Sequence, residues 1–256
     1  MSVDPRAASG FGAAAGAYER GRPGYPADVI ARVVRDLGLA HTSAALDLAA
    51  GTGKLARVLV PLLGRVIAVE PTPAMLDTLR AQLPEVEATM GTAEAIPLPA
   101  ASVDAVFVGE AFHWFQLADA CAEIARVLRP AGNLVVVWQR PRWSEHGHAW
   151  IQAFDELIGP HRETAGYPAG DGHWRVALAE TALFEPLTLT EADYDHRLRP
   201  DDFVALVESW SWIANLADES RTDLLAAVRE LLPGDSELVL RYRTEIYSTR
   251  LVPLRG

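Results

Sequence analysis

Between residues 26 and 138, short mainly apolar runs alternate with stretches in which apolar residues recur every three or four positions. A mainly apolar run of five or six residues fits a strand covered on both faces. The three-and-four spacing fits a helix with one face on a core. The runs lie at 44–49, 65–70, 86–90, 103–108 and 133–138, and the helical stretches at 26–37, 55–63, 73–83 and 117–128. In the first helical stretch Val29, Ile30, Val33 and Leu37 share one face. Regular alternation of this kind predicts parallel strands joined by right-handed crossovers, a doubly wound α/β sheet with helices on both sides.

After Trp138 the rhythm changes. Residues 187–194 and 238–251 alternate apolar with polar, as antiparallel strands with one wet face do, and helical spacing returns at 149–157, 201–213 and 219–232. The expected architecture is a seven-stranded, mostly parallel sheet with an antiparallel C-terminal strand pair and a helical lid. Residues 1–138 read as an N-terminal cap plus the cofactor-binding half, 139–235 as a lid or acceptor-binding insertion, and 236–256 as the final strand.

Composition narrows the classes of function. The chain has 256 residues, half of them hydrophobic and 22% charged, with a formal net charge of −11. Such a chain repels nucleic acid unless a basic stripe dominates locally, and the sequence has none. No apolar run approaches the roughly 20 residues a membrane-spanning helix needs. Residues 1–15 lack the basic-then-apolar order of a secretory signal, and Cys121 has no second cysteine to pair with. A cytoplasmic setting is the expectation, with Cys121 a packed residue.

The chemistry concentrates after the first strand. Gly51 and Gly53 bracket Thr52 where a strand gives way to a helix, a place where bare backbone lets a ligand approach and where helix N–H groups face it. Glu70 ends the next strand, and a carboxylate at that sheet edge can accept ribose hydroxyls. A P-loop would need glycine at 48 and serine or threonine at 55, where Leu48 and Leu55 stand. A dinucleotide site is met by Gly51-Thr-Gly53-Lys-Leu-Ala56, and a turn that only packs helix on strand is the plain alternative.

Around that loop the sequence resembles the class I S-adenosylmethionine-dependent methyltransferases, in particular the type 11 small-molecule group. Leu46-Asp-Leu-Ala-Ala-Gly-Thr-Gly-Lys-Leu55 is similar to the family's first motif, and Val69-Glu-Pro-Thr-Pro-Ala-Met75 to its second. Gly91-Thr-Ala-Glu-Ala-Ile-Pro97 resembles the third. Residues 103–109 followed by Glu110-Ala-Phe-His-Trp-Phe115 resemble the fourth, and residues 123–134 the approach to the fifth strand. The cap, Tyr18-Glu-Arg-Gly-Arg-Pro-Gly-Tyr-Pro26, is similar to that of the aconitate-type branch.

The resemblance implies S-adenosyl-L-methionine as cofactor. It implies Gly51, Thr52 and Gly53 against the methionine part, Asp47 at the ammonium group, Glu70 and Pro71 at the ribose, and Met75 on one adenine face. It also implies Thr92, Ala93 and Glu94 at the adenine edge, Glu110 and Ala111 beside the methionine and methyl group, and Tyr18 and Arg22 contributed by the cap. Two positions depart from the family: Ala49 stands where glycine is usual, and Thr92 where many relatives carry aspartate.

For the methyl acceptor, a small molecule methylated at oxygen is the expectation. His113 is the candidate base or positioning residue, with Trp114, Trp138, Arg140 and Trp143 as further acceptor contacts. Core packing competes for each aromatic, and surface charge for the arginine. His146-Gly-His148, with His161 and His173, matches no metal-ligand spacing, so no metal is expected. An NAD(P)-dependent oxidoreductase and a non-catalytic cofactor-binding protein of the same fold are the competing functions.

Overall fold

The computed structural model describes residues 15–146, 149–165, 173–234 and 236–253. The signal-sequence expectation for residues 1–15 and the His146-Gly147-His148 run therefore lie wholly or mainly outside the described side chains.

The strands are β1 (Ala44–Leu48), β2 (Arg65–Glu70), β3 (Glu87–Met90), β4 (Val103–Gly109), β5 (Leu128–Pro141), β6 (Thr188–Leu198) and β7 (Leu238–Arg250). They form one sheet in the order β3-β2-β1-β4-β5-β7-β6. The first five run parallel, and β7 is antiparallel to both neighbours, with Val137 opposite Ile246 and Ala192 opposite Thr244. This is the expected α/β sheet with its antiparallel C-terminal pair.

The helices are α1 (Ala15–Gly21), α2 (Ala27–Asp36), α3 (Lys54–Leu59), α4 (Pro73–Gln82), α5 (Leu117–Val127), α6 (Ala149–Ala165), α7 (His173–Glu180), α8 (Pro200–Glu208), α9 (Ser211–Ala214) and α10 (Asp218–Leu231). Because neighbouring residues of a strand point to opposite faces, each apolar run feeds two cores. Leu46, Leu48, Val106, Val136 and Trp138 pack with α5 and α7 on one side. Ala45, Ala68, Phe107 and Val137 pack with α2, α3 and α4 on the other. Cys121 is buried in the first of these cores, where burial pushes its thiol up to about 11.

A third core joins Trp143, Phe154 and Ile158 to α8, α9, α10 and the start of β7. Three boundaries differ from expectation. Strand β5 runs well beyond 133–138 at both ends, α6 continues through Pro160 to Ala165, and the stretch expected as one helix at 201–213 is broken at Ser209–Trp210. Ser209 Oγ donates to the Leu206 carbonyl at 2.7 Å, ending α8 with a bond the next turn of helix would not need.

Among the described residues no helix is long and apolar enough to cross a membrane, and no group of three metal-ligating side chains is assembled.

Candidate active site

The carboxyl ends of β1, β2 and β4 open onto a slot. Its wall is built by Ala49 and Gly51 after β1, Glu70 to Thr72 and Met75 after β2, Gly91 to Glu94 after β3, and Gly109 to Ala111 after β4. Tyr18, Trp114 and Phe115 complete it. Eleven residues expected at the cofactor from the sequence meet here: Tyr18, Ala49, Gly51, Glu70, Pro71, Met75, Thr92, Ala93, Glu94, Glu110 and Ala111.

The other four expected residues sit just behind or beside the slot. Asp47 is buried, and its Oδ2 accepts the Ala56 N–H at 2.8 Å, fastening β1 to the first turn of α3. Thr52, also buried, donates its hydroxyl to Glu19 Oε2 at 2.6 Å. Gly53 caps α3 in the left-handed region, with φ of 87°. Arg22 faces away, donating from Nε to Ser209 Oγ at 2.8 Å and lining the neighbouring cavities instead.

Glu70 is fixed from both sides, its Oε2 accepting from the Gly51 N–H and its Oε1 from the Thr72 N–H, each at 2.8 Å. Burial raises its pKa, and the bonds from Gly51 and Thr72 pull the other way. Asp47 is pushed up to about 7, first by burial and then by the charge of Glu70, against the Ala56 bond. Gly51 has a φ of 58°, and a Cβ there would enter the slot, 3.7 Å from Met75 Sδ and 3.8 Å from the Tyr18 ring. Ala49 (56°) and Glu110 (58°) hold the same left-handed conformation without being glycine. Clustered strain of that kind costs energy that the surrounding structure must meet, and it gathers at ligand sites.

Beyond the slot lies a cavity of about 410 Å³ lined by Tyr18, Arg22, Glu110, His113, Trp114, Trp143, Trp210 and Trp212, with Phe154, Ile158, Asp155 and Arg162 further out. Trp143 stacks on Trp210 at 6.3 Å, and Trp210 on Trp212 at 5.5 Å. A third, smaller cavity holds Lys54, Arg140 and Gln139, and shares Tyr18, Arg22 and Glu110 with the second. Trp138 reaches none of them. It is buried in the sheet core, its ring 5.3 Å from His113, because β5 directs it into the face covered by α7. Arg140 is engaged by Glu245 Oε2 at 3.2 Å.

His113 holds a pKa lowered to about 4, chiefly by burial and then by the positive charges of Arg140 and Arg22. Its Nδ1 is buried without a hydrogen-bond partner among the described residues. Sequence reasoning missed Thr72, Gly91, Gly109 and Phe115, each a chain neighbour of an expected residue. It also missed Phe154 and Arg162 in the large cavity, for which no local motif exists.

A methyltransferase domain family matches residues 46–136. An uncharacterised methyltransferase of Mycobacterium tuberculosis is 42% identical over 222 residues, 87% of this chain and 85% of the relative. The chain belongs to the class I methyltransferases. The structure of a putative type II methyltransferase from Anaeromyxobacter dehalogenans aligns with a TM-score of 0.63 at 25% identity, covering 91% of this chain and 99% of that one. A malonyl-[acyl-carrier protein] O-methyltransferase of Methylococcus capsulatus is 40% identical over 95 residues, 35% of this chain and 34% of the relative. As a member of the family, the methyltransferase uses S-adenosyl-L-methionine as its cofactor.

Proposed function

We propose that the slot binds S-adenosyl-L-methionine and that the aromatic cavity beside it takes a planar or apolar small molecule, methylated at oxygen. The observation that carries the cofactor part is the charge of the slot. Glu70, Glu94 and Glu110 line it, and no lysine, arginine or histidine does. A cationic sulfonium and ammonium suit such a wall, whereas the pyrophosphate of a dinucleotide would face three carboxylates without a counter-charge. The competing oxidoreductase reading loses on this ground.

Within the slot the chain's own groups divide the work. Glu70, its carboxylate oriented by Gly51 and Thr72, accepts the ribose hydroxyls with its remaining lone pairs. Met75 and the backbone of Thr92 to Glu94 hold the adenine. Gly51 leaves room for the methionine end, and Asp47 braces the loop beneath it through the Ala56 N–H. The bound cofactor supplies an already activated methyl group, so the protein's task is mainly to align an acceptor in line with it.

Residues 139–235 act as the acceptor-binding lid, closing the aromatic cavity over Tyr18, Glu110, His113 and Trp114. Its stacked indoles bury a planar body, and His113, neutral at physiological pH, offers a hydrogen bond to the acceptor oxygen rather than a strong base. The O-methyltransferase relative supports oxygen as the target.

Thermal unfolding with S-adenosylhomocysteine, S-adenosylmethionine or NAD added separately tests the reading. A ligand at 100 times its dissociation constant stabilises the fold by about 2.7 kcal/mol. Stabilisation by NAD alone would overturn it. Screening small planar hydroxylated compounds for capture of labelled methyl then identifies the acceptor.

A further inference from the structure

The aromatic cavity and the smaller third cavity adjoin at Arg22. They share Tyr18, Arg22, Glu110, Pro141, Trp143 and Trp210, whereas the slot shares only Tyr18 and Glu110 with the third. The two differ in character. Stacked indoles line the larger. The smaller, of about 210 Å³, brings Arg22, Lys54 and Arg140 together against one carboxylate, that of Glu110.

Two of those three cations are already engaged. Lys54 Nζ donates to the Glu19 carbonyl at 2.8 Å and lies 3.7 Å from Glu19 Oε2, and Arg140 Nε donates to Glu245 Oε2 at 3.2 Å. Arg22 forms no ion pair among the described residues. It donates from Nε to Ser209 Oγ at 2.8 Å and from Nη2 to the Ser209 carbonyl at 3.2 Å, both neutral acceptors. Its guanidinium carbon lies 5.4 Å from the centre of the Tyr18 ring. A guanidinium has five N–H donors, so most of them are left over. Ser209 is buried at the break between α8 and α9, so the break that brings Trp210 to both cavities also holds the guanidinium. A half-buried cation braced by neutral groups, beside an apolar chamber, is a preformed seat for an anion.

That seat lies away from the donor, since none of the three cations lines the slot. With one cation uncommitted and Glu110 on the same wall, a singly charged carboxylate fits better than a doubly charged phosphate. We propose that the third cavity is a carboxylate-binding recess for the acceptor, with Arg22 as its specificity-determining residue. The acceptor is then a planar acid whose ring lies among Trp143, Trp210 and Trp212. Its carboxylate, held by the Arg22 fork, stays unmethylated while a separate oxygen faces the slot. Tyr25 and Tyr242 line the recess too, and burial raises both phenols, which keeps them protonated as further hydrogen donors. This inference rests on the aromatic cavity being the acceptor site.

Calorimetric titration of the full chain, saturated with S-adenosylhomocysteine, with 2-naphthoate and with its neutral counterpart 2-naphthamide tests it. The probes share a planar body and differ in charge. The wild type should bind the acid at least about tenfold more tightly than the amide. Arg22→Gln should bring the two within about twofold by weakening the acid alone. Arg22→Lys, which keeps the charge without the fork, should retain a smaller preference. The donor is the other source of a carboxylate, and 5′-methylthioadenosine, which lacks its amino-acid end, separates the two. In Arg22→Gln the ratio of S-adenosylhomocysteine to 5′-methylthioadenosine affinity should stay within about twofold of the wild-type ratio. Acid and amide bound alike by the wild type, a preference that survives Arg22→Gln, or a collapse of that ratio would each overturn the role of Arg22 alone. If S-adenosylhomocysteine binds and neither probe does, the acceptor cavity itself has been misassigned and the inference falls with it.

Discussion

The carboxylate of Asp47 accepts the Ala56 N–H at 2.8 Å, across the glycine loop that separates β1 from α3. One buried bond thereby sets the distance between strand end and helix start, and with it the shape of the loop between them. The bond satisfies one of the N–H groups that every helix leaves open at its first turn. It does so with a residue that burial disfavours as an anion.

That conflict predicts a pH dependence. The folded pKa of Asp47, about 7, lies above its ordinary value of 3.8, so across this window the native state keeps a proton that the unfolded chain has released. The contribution of Asp47 to stability therefore falls as pH rises from about 4 to about 7, by roughly 4 kcal/mol. Denaturant unfolding of wild type and Asp47→Asn at pH 5 and pH 7.5 measures it. The variant should show the shallower decline, and parallel behaviour would refute the assignment.

Ala49 offers a second test. At φ of 56° an alanine pays about 1 kcal/mol that glycine does not. Ala49→Gly should tighten S-adenosylhomocysteine binding a few-fold with little change in melting temperature, since the gained flexibility of the unfolded chain offsets the relieved strain. Ala49→Val should weaken binding and lower stability by about 2 kcal/mol. Titration calorimetry decides, and a tighter Ala49→Val would count against the argument.

Glu70 and His113 should separate cleanly. Glu70→Ala removes the acceptor of the Gly51 and Thr72 N–H groups and the proposed ribose ligand together. Cofactor affinity should fall by more than tenfold, with about 1–3 kcal/mol of stability lost for each donor left unsatisfied. His113→Ala should leave cofactor affinity within about threefold. Equal effects would mean that one of the two residues has been misplaced in the mechanism.

For His113 the sign of the acid response is also fixed. Its folded pKa, about 4, lies below the ordinary 6.5, so the native state resists a proton that the unfolded chain accepts. Its contribution to stability is lost as pH falls through that window. His113→Asn should flatten the acid limb of the stability curve, measured by thermal unfolding from pH 7 to pH 4.

The N-terminal helix supplies the last test. A Cβ on Gly21 would lie 2.1 Å from the Leu206 nitrogen, inside the backbone of α8. Glu19 meanwhile accepts from Thr52 and Arg57, and its carbonyl from Lys54, so α1 straps the cofactor loop to the lid. Gly21→Ala should cost about 3 kcal/mol and increase proteolysis near residue 20. An unchanged melting temperature would show that α1 docks differently.

Much of this was legible in the sequence because a parallel strand is a mainly apolar run and its neighbours are helices with one apolar face. Residues 44–49, 65–70 and 103–108 could be read almost to the residue. The misread boundaries have local causes. Pro130 and Gly132 look like a turn yet lie within β5, and Gly159-Pro160 looks like a stop yet lies within α6. The slot was legible because its residues follow strand ends in motif order. The aromatic cavity was not, since Phe154 and Arg162 on α6 meet Trp210 and Trp212 at the α8–α9 break only through tertiary packing. The placement of Trp138 was hidden for the same reason, its partner helix α7 having no clear pattern of its own.

The third core takes no residue from β1 to β5. The part of the molecule that would greet the acceptor can therefore drift, enlarge or be exchanged while the donor half stays intact. A lineage carrying this arrangement can acquire new chemistry targets through substitutions at positions such as Trp210 and Trp212, with the sheet and its loop inherited unchanged.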